Sequence, residues 1–82
     1  MGRIVATPGA LATFGHEGCF LLLRRHAGGD WGDVGGFDRR ENERALKTGA
    51  RLLSAYDTPA GRAWVITEAD RSSTCVLLPS EY

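Results

Sequence analysis

The residue types that can do chemistry gather around one glycine-rich segment of the chain. His26 is followed within seven positions by Asp30 and Asp33, and two arginines directly precede it. A histidine base, carboxylates and an arginine are the groups that a small ribonuclease uses on a phosphodiester. Those groups must be held rigidly, and a segment with five glycines between residues 28 and 37 is a poor holder. We therefore predict that both aspartates make local hydrogen bonds to backbone amides.

Metal and nucleotide chemistry have weaker patterns. Four residues are of the type that binds zinc: His16, Cys19, His26 and Cys75. Structural zinc sites usually bring their ligands as two close pairs, and here only the first two residues form one. The glycine-rich segment lacks the Gly-Lys-Ser/Thr that closes a phosphate loop. We expect surface histidines, reduced and packed thiols, and no cofactor.

Trp31 lies between two acids in the same segment and has two interpretations. The commoner is a lid folded back on a small core, and the other is an exposed anchor for a partner, because tryptophan is enriched in interface hot spots. A second polar turn follows at residues 68–71. We take both segments as candidate partner-binding sites and predict no catalytic residue. The partner-binding candidates are Asp30, Trp31, Asp33, Glu68, Asp70 and Arg71.

One predicted helix carries a basic face that could contact phosphate or an acidic protein. Its cations are Arg39, Arg40, Arg44 and Lys47. Glu41 and Glu43 are interleaved with them, which is typical of a solvated helix surface.

The elements that position these residues begin with helices. Thr7 and Pro8 predict a short N-terminal helix, and residues 19–26 predict a second helical run that ends at Gly28. A strand over residues 19–23 is the alternative, since short apolar runs are ambiguous. Asp38 predicts the cap of a central helix over residues 39–48, with Gly49 as its C-terminal stop.

From residue 50 onward the pattern changes to the alternation of strands. Segments 50–56, 62–68 and 74–78 predict three strands separated by turn residues. The predicted fold is α+β: short N-terminal helices and one central helix packed on a three-stranded antiparallel β-meander. One face of that sheet should pack on the helices, and the other is a candidate surface for a partner or for self-association.

The totals limit the classes of function. The chain has 82 residues, 43% of them hydrophobic, which predicts a single domain spanning residues 1–82. Ten basic and ten acidic residues give zero formal charge. The chain therefore lacks both the positive field of a general nucleic-acid binder and the carboxylate excess of a DNA mimic. No apolar run spans a bilayer and residues 1–5 are not a signal sequence, so we expect a cytoplasmic protein. Its small core would gain stability from forming a homodimer.

Three segments carry a resemblance to a known group of proteins: HAGGDWGD at residues 26–33, ENERALKTGARLLSAY at 41–56, and WVITEADRSSTCVLLPSEY at 64–82. With these segments the chain resembles a family of small proteins encoded on bacterial plasmids, integrative elements and prophages, often labelled plasmid-related proteins. The resemblance runs from Ile4 to Tyr82, and its last segment is the most specific.

This resemblance implies a protein that protects a mobile element from host immunity. The expected function is that of a non-enzymatic anti-CRISPR protein, which binds a type I CRISPR–Cas surveillance complex in the bacterial host cell and blocks target-DNA recognition. The candidate acids would then meet arginines of the DNA channel. The alternatives are an anti-restriction factor or a small nucleic-acid-binding regulator that uses the basic helix face. A minor enzyme based on His26 is a third class.

Overall fold

The computed structural model, which describes residues 2–82, contains two helices, a four-stranded sheet and a C-terminal 3₁₀ turn. The elements in chain order are β1 (Arg3–Ala6), α1 (Pro8–Ala27), α2 (Gly36–Thr48), β2 (Leu52–Thr58), β3 (Gly61–Thr67), β4 (Ser73–Leu77) and the turn Pro79–Glu81. The strands lie in the order β1-β4-β3-β2, with β1 parallel to β4 and the other neighbours antiparallel. No helix in residues 2–82 is long and apolar enough to cross a membrane.

The broad α+β class is confirmed, but the three-stranded meander is wrong as a description of the sheet. β2, β3 and β4 do form an antiparallel meander, and β1 adds a fourth strand beside β4. The sequence gives little sign of β1, because it is four residues long and mostly exposed rather than alternating. Its partner lies about seventy positions away along the chain, so no local pattern reveals the pairing.

α1 begins where the sequence predicted. The Thr7 side chain accepts a hydrogen bond from the amide of Ala10, and Pro8 occupies the first turn. Residues 19–26 are helical, so the alternative strand is wrong. Gly15 breaks the helix with φ 73° and ψ 171°, which leaves a short first segment and a longer second one within α1.

α2 begins earlier than predicted. Its cap is Gly35 and its first residue is Gly36, so Asp38 lies in the first turn rather than at the cap, where its charge suits the positive end of the helix dipole. Gly49 ends the helix with φ 82°, as predicted.

The core lies between α1 and one face of the sheet, as the pleating predicted. The inward-facing strand residues are Tyr56, Ala63, Val65 and Val76, and they pack on Ala10, Cys19, Leu22 and Leu23 of α1. A second, smaller cluster joins Trp31, Ala45 and Leu52 where α2 meets β2. These two clusters place the C-terminal end of α1 next to the segment that contains Trp31.

Glu81 forms hydrogen bonds to the chain where β1 is followed by α1. Its carboxylate accepts hydrogen bonds from the Thr7 hydroxyl and from the amides of Gly9 and Leu78. The bond from Thr7 is the main cause that lowers the pKa of Glu81. The C-terminal turn therefore holds in place the point where β1 ends and α1 begins.

Candidate functional site

His26 lies in the last turn of α1 and connects that helix to β2 and β3 by hydrogen bonds. The side chain is 2% exposed; Nδ1 lies 2.6 Å from Ser54 Oγ, and Nε2 lies 2.8 Å from Thr67 Oγ1. The Thr67 hydroxyl lies in turn 2.8 Å from that of Thr74. The prediction of a surface histidine is wrong for His26, because the helix turns this residue toward the sheet.

The His26 ring is held in its neutral form. Burial lowers its pKa to about 4, and a neutral imidazole offers one donor and one acceptor, which the two hydroxyls satisfy. Within residues 2–82, every buried side-chain nitrogen and oxygen has a hydrogen-bond partner. A base acting on a substrate would need to be exposed, whereas the ring and both hydroxyl-bearing residues are almost completely buried. The geometry therefore favours a structural role for His26, in which it fixes how α1 packs on the sheet.

Trp31 is a lid on the second core cluster. The side chain is 2% exposed, and its ring lies edge-on to His26 with 5.7 Å between the centroids. The indole Nε1 donates to Glu43 Oε2 on α2 at 2.7 Å. The lid interpretation is confirmed, and the indole offers no exposed surface to a partner.

Asp30 and Asp33 both bind backbone amides, but only one does so locally. Asp30 Oδ1 accepts from the amide of Gly32, while its Oδ2 accepts from Arg25 Nε at 2.7 Å, the main cause that lowers the pKa of Asp30. Asp33 Oδ2 accepts from the amide of Asp57 at 2.9 Å, so it reaches across to β2. The predicted local bond is confirmed for Asp30, and Asp33 instead ties its loop to the sheet.

The same loop covers part of the outer edge of β2. The amide of Ala55 donates to the carbonyl of Trp31, and the carbonyl of Ala55 accepts from the amide of Asp33. Gly32 lies against this edge with φ 74°, and a Cβ there would come 2.1 Å from the carbonyl oxygen of Ala55. Only glycine allows the loop to approach the strand so closely.

Asn42 of α2 covers the next part of the β2 edge. Its amide group donates to the carbonyl of Leu53 and its side-chain oxygen accepts from the amide of Leu53, at 2.6 Å and 3.0 Å. The side chain thus replaces the two hydrogen bonds that a neighbouring strand would make. Leu53, Ala55 and Asp57 are alternate residues of β2 whose backbone groups point away from β3. All three form hydrogen bonds to groups outside the sheet.

The turn at residues 68–71 contacts the C-terminal end of α2. Arg71 has φ 62°, and its guanidinium donates to the carbonyls of Ala45 and Ala50, beside the end of the helix. Asp70 accepts from the amide of Ser72, and the hydrogen bonds with Ser72 lower the pKa of Asp70. Glu68 and Asp70 remain exposed, while the charge of Arg71 is largely directed inward.

A cavity of about 340 Å³ opens where α1, α2 and the sheet meet. Its walls are formed by His26, Ala27, Gly28, Gly29, Trp31, Leu46, Leu52, Thr67 and Arg71. The polar side chains in this wall are already bonded within the chain. The cavity therefore has a largely apolar character.

The predicted partner-binding residues do not form one surface. Trp31 and Arg71 share the walls of this cavity. Asp33 lies beside Asp57 toward the far end of β2, and Asp70 lies in the turn after β3. The four residues of zinc-binding type do not come together either: residues 2–82 hold no group of three or more His, Cys, Asp or Glu side chains that could bind a metal.

The edge of the sheet at β1 differs from the edge at β2. Ile4 is 48% exposed and Phe20 of α1 is 59% exposed. Between them lies an apolar cavity of about 170 Å³, lined by Ile4, Phe20, Leu23, Arg24 and Ala27. Arg3 lies exposed on the same strand. We call Arg3, Ile4, Phe20 and Arg24 the edge patch.

The two arginines of the edge patch form no ion pair within residues 2–82. The three ion pairs of residues 2–82 are Arg25–Asp30, Arg44–Glu41 and Arg62–Asp57. Neither Arg3 nor Arg24 takes part in one. The edge patch therefore combines exposed apolar side chains with two arginines that form no ion pair within residues 2–82.

Comparisons with protein-family models, with curated proteins and with solved structures give no match to this chain.

Sequence reasoning overlooked the edge patch and the buried network, and only one of them has a sequence signal. Cys19, Leu22, Leu23 and His26 follow the spacing i, i+3, i+4, i+7 of a helix face that packs on a core. That spacing identifies His26 as buried once the helix is accepted. The edge patch has no such signal, because it unites residues from β1 and α1 that become neighbours only in the fold.

Proposed function

We propose that this chain is a protein-binding module that inhibits a bacterial defence complex, and that it docks through the edge patch. The observation that carries the proposal is the open edge of β1, flanked by exposed Ile4 and Phe20. A strand edge with adjacent apolar surface can bind a partner by main-chain hydrogen bonds and by side chains that enter neighbouring pockets.

The remaining polar groups support binding rather than turnover as the activity. His26, Thr67 and Arg71, the polar groups closest to the larger cavity, are each bonded within the chain. They support the packing of α1 and α2, and that packing gives the edge patch a rigid base. A rigid surface binds without the cost of ordering it first.

The resemblance to proteins of mobile elements supplies the class of partner. We propose a type I CRISPR–Cas surveillance complex, whose recognition of target DNA the bound module would block. An inhibitor of this kind needs no catalytic group, because occupying part of the complex is sufficient. Exposed Glu68 and Asp70 remain candidates for a second contact with arginines of the DNA channel.

The experiment is co-purification with a matched control. The tagged chain is expressed with a type I surveillance complex from a host of such elements, and the captured complex is tested for binding of target DNA. We expect capture of the complex and loss of DNA binding. Phe20→Ser should abolish both effects, whereas Phe37→Ser, at a more exposed phenylalanine of α2, should leave them unchanged.

Two results would contradict the proposal. One is failure to capture any type I complex at concentrations where the chain is folded. The other is strong, steeply salt-dependent DNA binding by the chain alone that Arg39→Ala/Arg40→Ala removes, which would favour the nucleic-acid-binding regulator.

A further inference from the structure

We propose that the edge patch receives an extended, acidic segment of the partner, which joins the sheet as a fifth strand beside β1. This inference rests on the proposed function only in taking the chain to be a protein-binding module. It adds the mode of binding and the chemistry of the bound segment.

The backbone of β1 is arranged for strand addition. The amides of Arg3 and Thr7 donate to the carbonyls of Ser72 and Val76. Because alternate residues of a strand point to opposite sides, Ile4 and Ala6 direct their amides and carbonyls away from β4. No hydrogen bond outside the sheet ladder uses these groups within residues 2–82. They form a short ladder that an added strand can complete.

The side chains beside this ladder select an apolar residue on one face of the added strand. Ile4 lies on the face that α1 covers, since it is in register with buried Thr74. The cavity of about 170 Å³ between Ile4 and Phe20 adjoins the position that an added strand would take. A valine- or leucine-sized side chain of that strand would enter it.

The charges select acidic residues on the bound segment. Arg24 borders the cavity, and Arg3 lies on the opposite face of β1, in register with Ser73. Neither is paired with a carboxylate in residues 2–82. Glu17 is the acidic residue of α1; it lies seven residues before Arg24 and forms no ion pair with it. A second copy of this chain would bring two more arginines to the same edge, so the charges favour an acidic partner over self-pairing.

The edge is already formed before binding. Glu81 holds Thr7 and the first turn of α1, and β1 is fixed along its inner side by β4. The partner segment alone must become ordered, which limits the entropic cost of binding.

The test uses two peptides of opposite charge and the isolated full chain. An eight-residue peptide of alternating valine and glutamate, with blocked ends, is titrated into the isotopically labelled chain, and a valine–lysine peptide serves as its control. We expect NMR shifts of the amides of Ile4, Ala6 and Arg24 with the glutamate peptide, at a Kd at least about tenfold lower than for the lysine peptide. Equal binding of both peptides, or shifts confined to residues of β2 or α2, would overturn the proposal.

Two variants separate the backbone contribution from the charge contribution. Ile4→Pro removes an outward amide without touching a bond to β4, so it should weaken binding of the glutamate peptide about tenfold. Arg3→Glu/Arg24→Glu should reverse the preference toward the lysine peptide, whereas Arg40→Glu, on α2, should not. If Ile4→Pro does not fold, Arg3→Glu/Arg24→Glu still tests the proposal. A double variant that still prefers the glutamate peptide would contradict it.

Failure here is distinguishable from failure of the proposed function. If the surveillance complex is captured equally by wild type and Ile4→Pro, strand addition at β1 is wrong, while the proposal that the chain binds and inhibits the complex stands. If the glutamate peptide binds at β1 but no complex is captured, the edge assignment stands and the choice of partner is wrong. Concentration-dependent dimerisation in sedimentation experiments that Ile4→Pro abolishes would show that a second copy occupies the edge, and would overturn the acidic-segment proposal.

Discussion

Along β2, the outward-facing residues Leu53, Ala55 and Asp57 all bond to α2 or to the loop before it, whereas along β1, Ile4 and Ala6 have no such partner within residues 2–82. Both are edges of the same sheet and carry the same backbone groups. Proteins usually protect edge strands, because an open edge invites pairing with other chains. The protected edge therefore serves folding, and the open edge marks where a partner is expected.

Trp31→Ala should have the largest effect on stability. Removing the buried indole leaves a void beside His26 and releases Glu43, so the free energy of unfolding should fall by about 3–5 kcal/mol. Phe20→Ala, the matched aromatic truncation at the open edge, should change it by less than about 0.5 kcal/mol. Chemical denaturation measures both variants. A similar loss in both would break the contrast between the two edges.

The pH dependence of unfolding should show how much buried His26 stabilises the packing of α1 on the sheet. Because burial lowers the pKa of His26 from 6.5 to about 4, protonation favours the unfolded chain. Its contribution is fully present above about pH 6.5 and is lost as the pH falls to about 4, with a total loss of about 3 kcal/mol. Denaturation curves at several pH values should show this loss in wild type.

The two histidines provide a matched control for that measurement. His26→Gln should remove the pH dependence between about pH 6.5 and 4, while exposed His16→Gln should keep it. Below pH 4, loss of stability from Asp30 and Glu81 should remain in both variants, because hydrogen bonds lower the pKa of both carboxyls. An unchanged profile in His26→Gln would show that another group is responsible.

Asn42→Ala should open the covered edge at one point. It leaves the amide and the carbonyl of Leu53 without their partners, at a cost of about 1–3 kcal/mol in the free energy of unfolding. Size-exclusion chromatography should also show more association at high concentration, since the edge is partly exposed. Arg40→Ala, on the exposed side of the same helix, should do neither. Unchanged stability in Asn42→Ala would indicate that water replaces the side chain at no cost.

The smallest effect on stability is expected at the open edge itself. Ile4→Thr keeps a β-branched side chain in the strand, so the free energy of unfolding should change by less than about 0.5 kcal/mol. Capture of the partner should nevertheless decrease, because the apolar contact is lost. Normal capture by a folded Ile4→Thr variant would remove this residue from the binding surface.

Much of the fold follows from local patterns in the sequence. Thr7, Pro8 and Gly49 identify helix ends, and the alternation after residue 50 identifies the meander and indicates that one of its faces packs on the helices, without showing which. The start of α2 differs because Gly35, a residue with no side-chain oxygen, provides the cap in place of Asp38. Each of these features depends on residues a few positions apart.

The site was less predictable, because it depends on contacts between distant segments. Asn42 looks like an ordinary helix residue until Leu53 lies beside it, and the Trp31–Asp33 segment looks like a free loop until it lies along β2. β1 was missed for the same reason, since only β4 makes it a strand. The local hydrogen bond of Asp30 was correctly predicted and that of Asp33 was not, and the role of the candidate acids as an interface is still a prediction.

Hydrogen exchange of the chain, alone and bound to a type I surveillance complex, tests the central claim most directly. In the free chain, the amides of Leu53, Ala55 and Asp57 should be protected although β2 is an edge, while those of Ile4 and Ala6 should exchange rapidly. In the complex, residues 3–6 should become protected with little change in residues 52–58. Protection that appears elsewhere while residues 3–6 still exchange rapidly would contradict binding through the open edge.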